Sequence, residues 1–260
     1  MIDPRFVEAA EAAADLAGTI IRPLFRSALL VEAKGDASPV TEADRAAERA
    51  LRAFLTERFP THGIMGEEYG TERGDAEYLW VLDPIDGTRA FLTGRPLFGT
   101  LIGLLHRGEP VLGLIDQPVT RERWVGVAGQ GTRFHSPMGG TVGSRACASL
   151  SVAELSCTSP EMFPPADWER FDAVRRAARR VTWGGDCYSY GLIPLGLVDA
   201  VVESGLKPWD WAALVPVIEG AGGRMTDWFG QALTLDSRGD VIAVGDPALM
   251  PEIVGLLGRR

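Results

Sequence analysis

Apolar residues fall at helical spacing from the start of the chain. Phe6, Ala9, Ala10, Ala13, Ala14, Ala17 and Ile21 share one face. Asp3-Pro4 just before them places a capping side chain and then a proline at the first helical position. A polar loop, Lys34-Gly35-Asp36-Ala37-Ser38-Pro39, leads to a second helix predicted from Thr41 to about Arg58, with Ala47, Leu51, Phe54 and Leu55 inward. The pattern then changes to short apolar runs. Ile64-Met65 and Trp80-Val81-Leu82 read as buried strands, the second ending where the chain breaks at Asp83-Pro84. Leu101 to Leu105, Val111 to Ile115 and Trp124 to Ala128, separated by Arg107-Gly108-Glu109 and followed by Gly129-Gln130-Gly131, read as antiparallel hairpins. The small-residue stretch from Ser136 to Ser144 is the candidate boundary, so two halves are expected, 1–140 and 141–260. In the second half, helices are predicted from Asp167 to Arg180, Tyr188 to Leu195, Pro208 to Ala221 and from Pro247 onward. Strands are predicted at Ala200 to Glu203 and Val241 to Val244. The fold class is mixed α/β.

With 260 residues, 46% hydrophobic and 23% charged, the chain is long enough for two packed halves and ordinary in composition. Its net charge of −9 argues against a nucleic-acid or anionic-membrane surface. Cys147, Cys157 and Cys187 follow no zinc or disulfide spacing and read as buried small apolar residues in a reducing compartment. His62, His106 and His135 sit in no metal-ligand spacing. No signal peptide or membrane span is visible, and a cytoplasmic location is expected.

The chemistry gathers in Trp80-Val81-Leu82-Asp83-Pro84-Ile85-Asp86-Gly87-Thr88. Two carboxylates at the mouth of an apolar strand repel each other unless a cation intervenes. The glycine after them lets backbone amides approach an anion. Further acids fall at Gly66-Glu67-Glu68, at the end of a short strand, and at Asp210, near a helix N-terminus. Asp44 stands at the third position of the helix that Thr41 caps. Turn formation is the alternative reading for Asp86-Gly87, helix capping for Asp44, and dipole complementation for Asp210. Oxygen ligands from separate segments are what magnesium sites use, and with an anion cradle they point to metal-assisted phosphate chemistry.

Gly66-Glu67-Glu68, Asp83-Pro84-Ile85-Asp86-Gly87-Thr88 and Trp209-Asp210 resemble, in order and spacing, the signature segments of the inositol monophosphatase family. Lys34 with Thr41 to Asp44 resembles its N-terminal element, and the likeness covers nearly the whole chain. The resemblance implies a layered αβαβα sandwich, with most metal ligands in 1–140 and Asp210 and the specificity residues in 141–260. It implies a homodimer acting on a small phosphate monoester, with about two to three Mg2+ ions per site and Mn2+ as a substitute. One ion is assigned to Glu67, Asp83 and the Ile85 carbonyl, and a second to Asp83, Asp86 and Asp210. A third would sit near Glu67, through Asp44. Such cations would reverse the local sign that the chain's net charge sets. Thr88 and Glu67 would orient water, and the Gly87 and Thr88 amides would receive the phosphate. Lys34, one of two lysines in the chain, falls beside an acidic motif and is assigned a supporting role. No cysteine, histidine or serine occupies a nucleophile motif, so direct attack by water is expected.

The segments Arg89 to Thr100 and Gly184 to Gly191 resemble the histidinol-phosphatase branch of that family. Its substrate carries an ammonium and an imidazole, and partly desolvated cations need anionic partners, for which Asp186 and Glu203 stand ready. Arg89 and Asp210 complete the substrate-binding set. A helix N-cap is the alternative for Asp186, and pairing with a nearby acid for Arg89. An inositol or sugar monophosphatase is the second reading. A non-catalytic factor associated with RNA polymerase, known among relatives, is a third, which a pull-down would distinguish.

Overall fold

A computed structural model describes residues 2–27, 31–33 and 39–258, and for 31–33 and 39–41 the backbone alone. Among these residues the helices are α1 (Pro4–Leu24), α2 (Glu42–Arg58), α3 (Thr88–Leu92), α4 (Pro165–Ala177), α5 (Asp186–Leu192), α6 (Pro208–Trp211), α7 (Leu214–Gly220) and α8 (Met250–Leu257). A short ribbon pairs β1 (Val31–Ala33) with β2 (Pro39–Thr41). The first large sheet contains β3 (Gly63–Gly66), β4 (Gly70–Glu72), β5 (Tyr78–Asp86), β6 (Gly99–His106), β7 (Glu109–Gln117), β8 (Glu122–Val127) and β9 (Gly131–His135), in the order β4-β3-β5-β6-β7-β8-β9. The second contains β10 (Glu154–Cys157), β11 (Arg180–Trp183), β12 (Ala200–Glu203), β13 (Arg224–Thr226) and β14 (Val241–Val244), in the order β11-β10-β12-β14-β13.

Strand alternation sorts the apolar side chains into layers. Trp80, Leu82, Ile102, Leu112 and Leu114 face the alanine stripe of α1 and the Ala47, Leu51 and Leu55 face of α2. Leu79, Val81, Leu101 and Ile115 face the opposite way, toward Tyr190, Trp211, Ala213 and Val217 of the middle helices. Those helices are covered in turn by Val201, Val241 and Ala243 of the second sheet. The far side of that sheet buries Leu155, Val202 and Val244 against Phe171, Val174, Ile253 and Leu257 of α4 and α8. The result is the expected αβαβα sandwich. Asp3 caps α1 as predicted, accepting from the Arg5 amide at 3.0 Å, and all three cysteines are buried thiols.

Among the boundaries that differ from expectation, three have an identifiable reason. The strand does not stop at Asp83 but runs to Asp86, with its register shifting against β6 between those residues. Pro84 donates nothing there, yet its carbonyl accepts from the buried Thr100 hydroxyl at 2.8 Å. The helix predicted from Pro208 to Ala221 is two, α6 and α7, because Pro216 lacks the N–H that would bond Ala212 and its ring crowds that carbonyl. The helix predicted to reach Arg180 ends at Ala177. Arg180 instead begins edge strand β11 and pairs with Glu154.

A row of glycines sets the depth of the middle layer. Gly103, Gly113 and Gly126 lie side by side across β6, β7 and β8. A Cβ at Gly113 would lie 1.9 Å from the Ala213 carbonyl oxygen, and one at Gly126 would lie 2.3 Å from that of Pro216. Their missing side chains let the α6–α7 segment rest directly on the sheet backbone, and that segment carries Asp210.

Candidate active site

The bulge in β5 gathers the first two acids. In a regular strand, residues three apart point to opposite faces. The irregularity between Asp83 and Asp86 re-aims them, as bulges do. With Asp210 from α6, each offers a carboxylate oxygen lying within 4.8 Å of the other two. Asp83 is buried and accepts from the Ile85 amide at 3.0 Å. Asp86 takes the Cys187 amide at 2.6 Å, so the first turn of α5 is docked on it. Asp210 accepts from the Lys207 amide at 2.6 Å, which fixes its rotamer while it also closes the first turn of α6. Asp210 thus closes the first turn of its own helix and faces the other two acids at once.

Glu67 follows β3, which runs parallel to β5 with Gly66 opposite Leu82. Glu67, just past the end of β3, therefore comes level with Asp83 of β5. Asp44, buried on α2, is close enough to act electrostatically on Asp83. Burial, and then the charges of Glu67, Asp86, Asp210 and Asp44, hold Asp83 well above the usual carboxylate range. Burial and Asp210 push Asp86 up to about 7. Burial, with Glu67, pushes Asp210 up to about 7, against the Lys207 amide bond that lowers it. Such a group cannot hold its charges together without protons or a cation. All the donors are oxygens, the set that hard divalent cations prefer, so the residues fit a metal of that class.

Gly87 takes φ 86° at the start of α3. A side chain there would meet more than backbone strain, because a Cβ would lie 3.0 Å from the Asp186 carboxyl carbon. The Thr88 hydroxyl donates to the Ile85 carbonyl at 3.2 Å, which puts these two assigned groups side by side.

The acids open into a cleft. One part, a cavity of about 610 Å3, is lined by Asp86, Asp186, Glu203 and Asp210, with Arg89, Thr158, Met162 and Tyr190. An adjoining part of about 310 Å3 is lined by Glu67, Gly87, Thr88, Arg89 and Asp186. Asp186 belongs to both. The N-cap alternative for it does not hold, since Gly185 occupies that position and Asp186 opens α5 at φ 43°. Burial, then Asp86 and Glu203, push its carboxyl up to about 8. Arg89 reaches Glu161 at 3.8 Å, both side chains being exposed at the rim. Glu203 is less available than its sequence position implied. It is 3% exposed, and its oxygens accept from the Thr158 amide at 2.6 Å and the Tyr190 hydroxyl at 2.8 Å. Lys34 lies outside the described residues.

Sequence reasoning missed Thr158 and Tyr190, which hold Glu203, and the Cys187 amide, which holds Asp86. It also missed Glu48. This buried glutamate on α2 accepts from the Glu68 and Tyr69 amides just after Glu67. The available signal was Asp44, Glu48 and Arg52, charges at helical spacing within the inward face of α2.

The inositol monophosphatase family profile matches residues 3–259. Over 92% of this chain and 69% of the relative, the sequence is 46% identical to the chloroplastic bifunctional phosphatase IMPL2 of Arabidopsis thaliana. It is 36% identical to a histidinol-phosphatase of Chlorobaculum parvum, over 88% of both chains. Among solved structures, an inositol monophosphatase from Zymomonas mobilis superposes with a TM-score of 0.90 at 48% identity, covering 98% of each chain.

Proposed function

The chain belongs to the inositol monophosphatase family, and from that premise we propose that it is a Mg2+-dependent histidinol-phosphate phosphatase. The class, a metal-dependent phosphatase, follows from the family; the ester and the ion are the proposal. Glu67, Asp83, Asp86, Asp210 and the Ile85 carbonyl would hold the cations, with Asp44 behind them. What such cations supply when bound is neutralisation of the phosphate charge and acidification of water. The Gly87 and Thr88 amides would receive phosphate oxygens, and Thr88 with Glu67 would orient the attacking water.

One observation carries the choice of ester. The wall of the cleft away from Asp83 is itself lined by carboxyl groups, with Asp186 in both of its parts. An uncharged polyol can offer these carboxyl groups only neutral hydrogen bonds, whereas a cation approaching Asp186 would favour its charged form and pair with it. Since both Glu203 oxygens already have partners, Asp186 would be the principal contact and Glu203 a supporting charge. A curated relative named histidinol-phosphatase, at 36% identity, is consistent with that choice. An inositol or other polyol monophosphatase is the second reading, favoured by the name of the Zymomonas structure.

Steady-state kcat/KM on histidinol phosphate, inositol 1-phosphate and p-nitrophenyl phosphate decides between them. Histidinol phosphate should be the best of the three. Asp186→Asn should cut kcat/KM for it about ten- to hundredfold, the loss of a charge-assisted hydrogen bond. Activity on p-nitrophenyl phosphate should hold, because that ester has no cation. Equal losses on both esters, or a wild-type preference for inositol 1-phosphate, would reject the assignment.

A further inference from the structure

The turn that carries Glu67 is held from behind by a buried side chain outside every segment discussed as a signature. Glu48 of α2 has no exposed surface. Its Oε2 accepts from the Glu68 amide at 2.7 Å and its Oε1 from the Tyr69 amide at 3.2 Å. Oε1 also takes the Arg52 Nε at 2.7 Å. Arg52 continues the connection, donating to Glu72 at 3.0 Å and to the Gly70 carbonyl. Gly66 completes the fit, since a Cβ there would lie 2.1 Å from Glu48 Oε1. One carboxylate therefore gathers two consecutive backbone amides of the hairpin between β3 and β4, and its own charge is answered by an arginine four residues along the same helix.

The placement on α2 gives this arrangement its direction. Asp44 and Glu48 are both buried, one turn apart on the same helix face. Asp44 acts on the Asp83 cluster, and Glu48 grips the backbone following Glu67. Two acids from one rigid helix thus reach the site by different routes, one through its charge and one through the main chain. A buried carboxylate used only for stability would be a poor choice, because a well-packed apolar pair fills such a space at no greater cost. Hydrogen bonds that orient a ligand-bearing turn give the charge a purpose that an apolar pair cannot serve.

We propose that Glu48 is a positioning residue for metal binding, its carboxylate fixing the Glu67 turn through the Glu68 and Tyr69 amides so that Glu67 stands over Asp83. This rests on the metal-dependent reading of the site and is independent of which ester is cleaved.

The test titrates Mn2+ and Mg2+ alone into the metal-free full-length chain by calorimetry. Metal half-saturation of p-nitrophenyl phosphate hydrolysis and Tm are measured in parallel. Glu48→Gln keeps the shape but cannot accept from both amides and the guanidinium together. It should weaken metal binding about tenfold or more, the usual scale for groups that orient a ligand. The metal concentration for half-activity should rise in step, and KM for the ester at saturating metal should stay within about twofold. Glu48→Asp, which keeps the charge but withdraws it by one methylene, should fall between this variant and wild type. Glu72→Gln breaks the outer Arg52 contact and leaves the amide clamp intact, so its metal affinity should match wild type. A folded Glu48→Gln with lowered Tm and wild-type metal affinity would assign the residue to stability and overturn the proposal. So would failure of both Glu48 variants to fold. Wild-type protein that binds neither cation would instead reject the metal-dependent reading itself.

Discussion

Asp86 shows how much one carboxylate is asked to do. It shares the cluster with Asp83 and Asp210, receives the Cys187 amide, and borders the cleft that Asp186 lines. Asp86→Asn preserves the volume and removes a negative donor. A loss of kcat of at least about a hundredfold is expected, the scale on which a single electrostatic contributor acts. Chelation with EDTA should abolish wild-type activity and added Mg2+ should restore it, measured on any cleavable monoester. Undiminished turnover in verified metal-free protein would remove the basis of the whole assignment. If water attacks phosphorus directly, a single turnover in oxygen-18 water should label the released phosphate once. Acid quench should then trap no phosphoprotein, whereas a phosphorylated aspartate or serine would displace Glu67 and Thr88 from their proposed role.

At the scale of elements, the close seating of α6–α7 on the glycine row makes a prediction that no contact of Asp210 itself makes. Gly113→Ala would place a methyl group into the Ala213 carbonyl. The segment would have to lift, at a cost of about 1–3 kcal/mol for overpacking. Because Asp210 rides on that segment, metal half-saturation should rise together with the fall in Tm. Gly108→Ala, at a turn with open space around it, should lower Tm through its positive φ and leave metal affinity unchanged. Equal metal affinity in both variants would show that the α6–α7 seat does not position Asp210. These elements were unequally legible in the sequence. The alanine stripe of α1, the hairpins and the acid-bearing turns could be read because period, turn residues and caps are local signals. The glycine row could not, since three residues far apart in sequence become neighbours only through strand register. Strands β10, β11 and β13 were missed for a related reason. They are three or four residues long, and in β10 and β11 their pairing is parallel, so the partner is remote. The split of the 208–221 helix, by contrast, was written in Pro216 and could have been read there.

For the whole molecule, the cost of assembling these acids becomes a dependence of stability on pH. Folding moves Asp86 and Asp210 from an ordinary 3.8 to about 7, and Asp186 from 3.8 to about 8. Without metal, the folded chain therefore binds more protons than the unfolded chain between about pH 4 and pH 8. For groups raised in this way, the stabilising contribution is full below the unfolded value and is lost as pH rises through the folded one. Metal-free protein should accordingly show a Tm that falls between pH 5 and pH 8, by about 2–4 °C for each kcal/mol lost in a chain of this size. Saturating Mg2+ should take the place of the protons and flatten or reverse the fall, as expected of a ligand that binds the folded state and competes with protons. Groups elsewhere also titrate over this range, and Asp86→Asn separates them, because it deletes one raised carboxyl from the cluster. Its metal-free Tm should fall less steeply than that of wild type, and Mg2+ should raise it less at pH 8. A metal-free wild-type Tm that stays level or climbs from pH 5 to pH 8, with Asp86→Asn parallel to it, would mean that these carboxylates are not in electrostatic conflict when the site holds no cation.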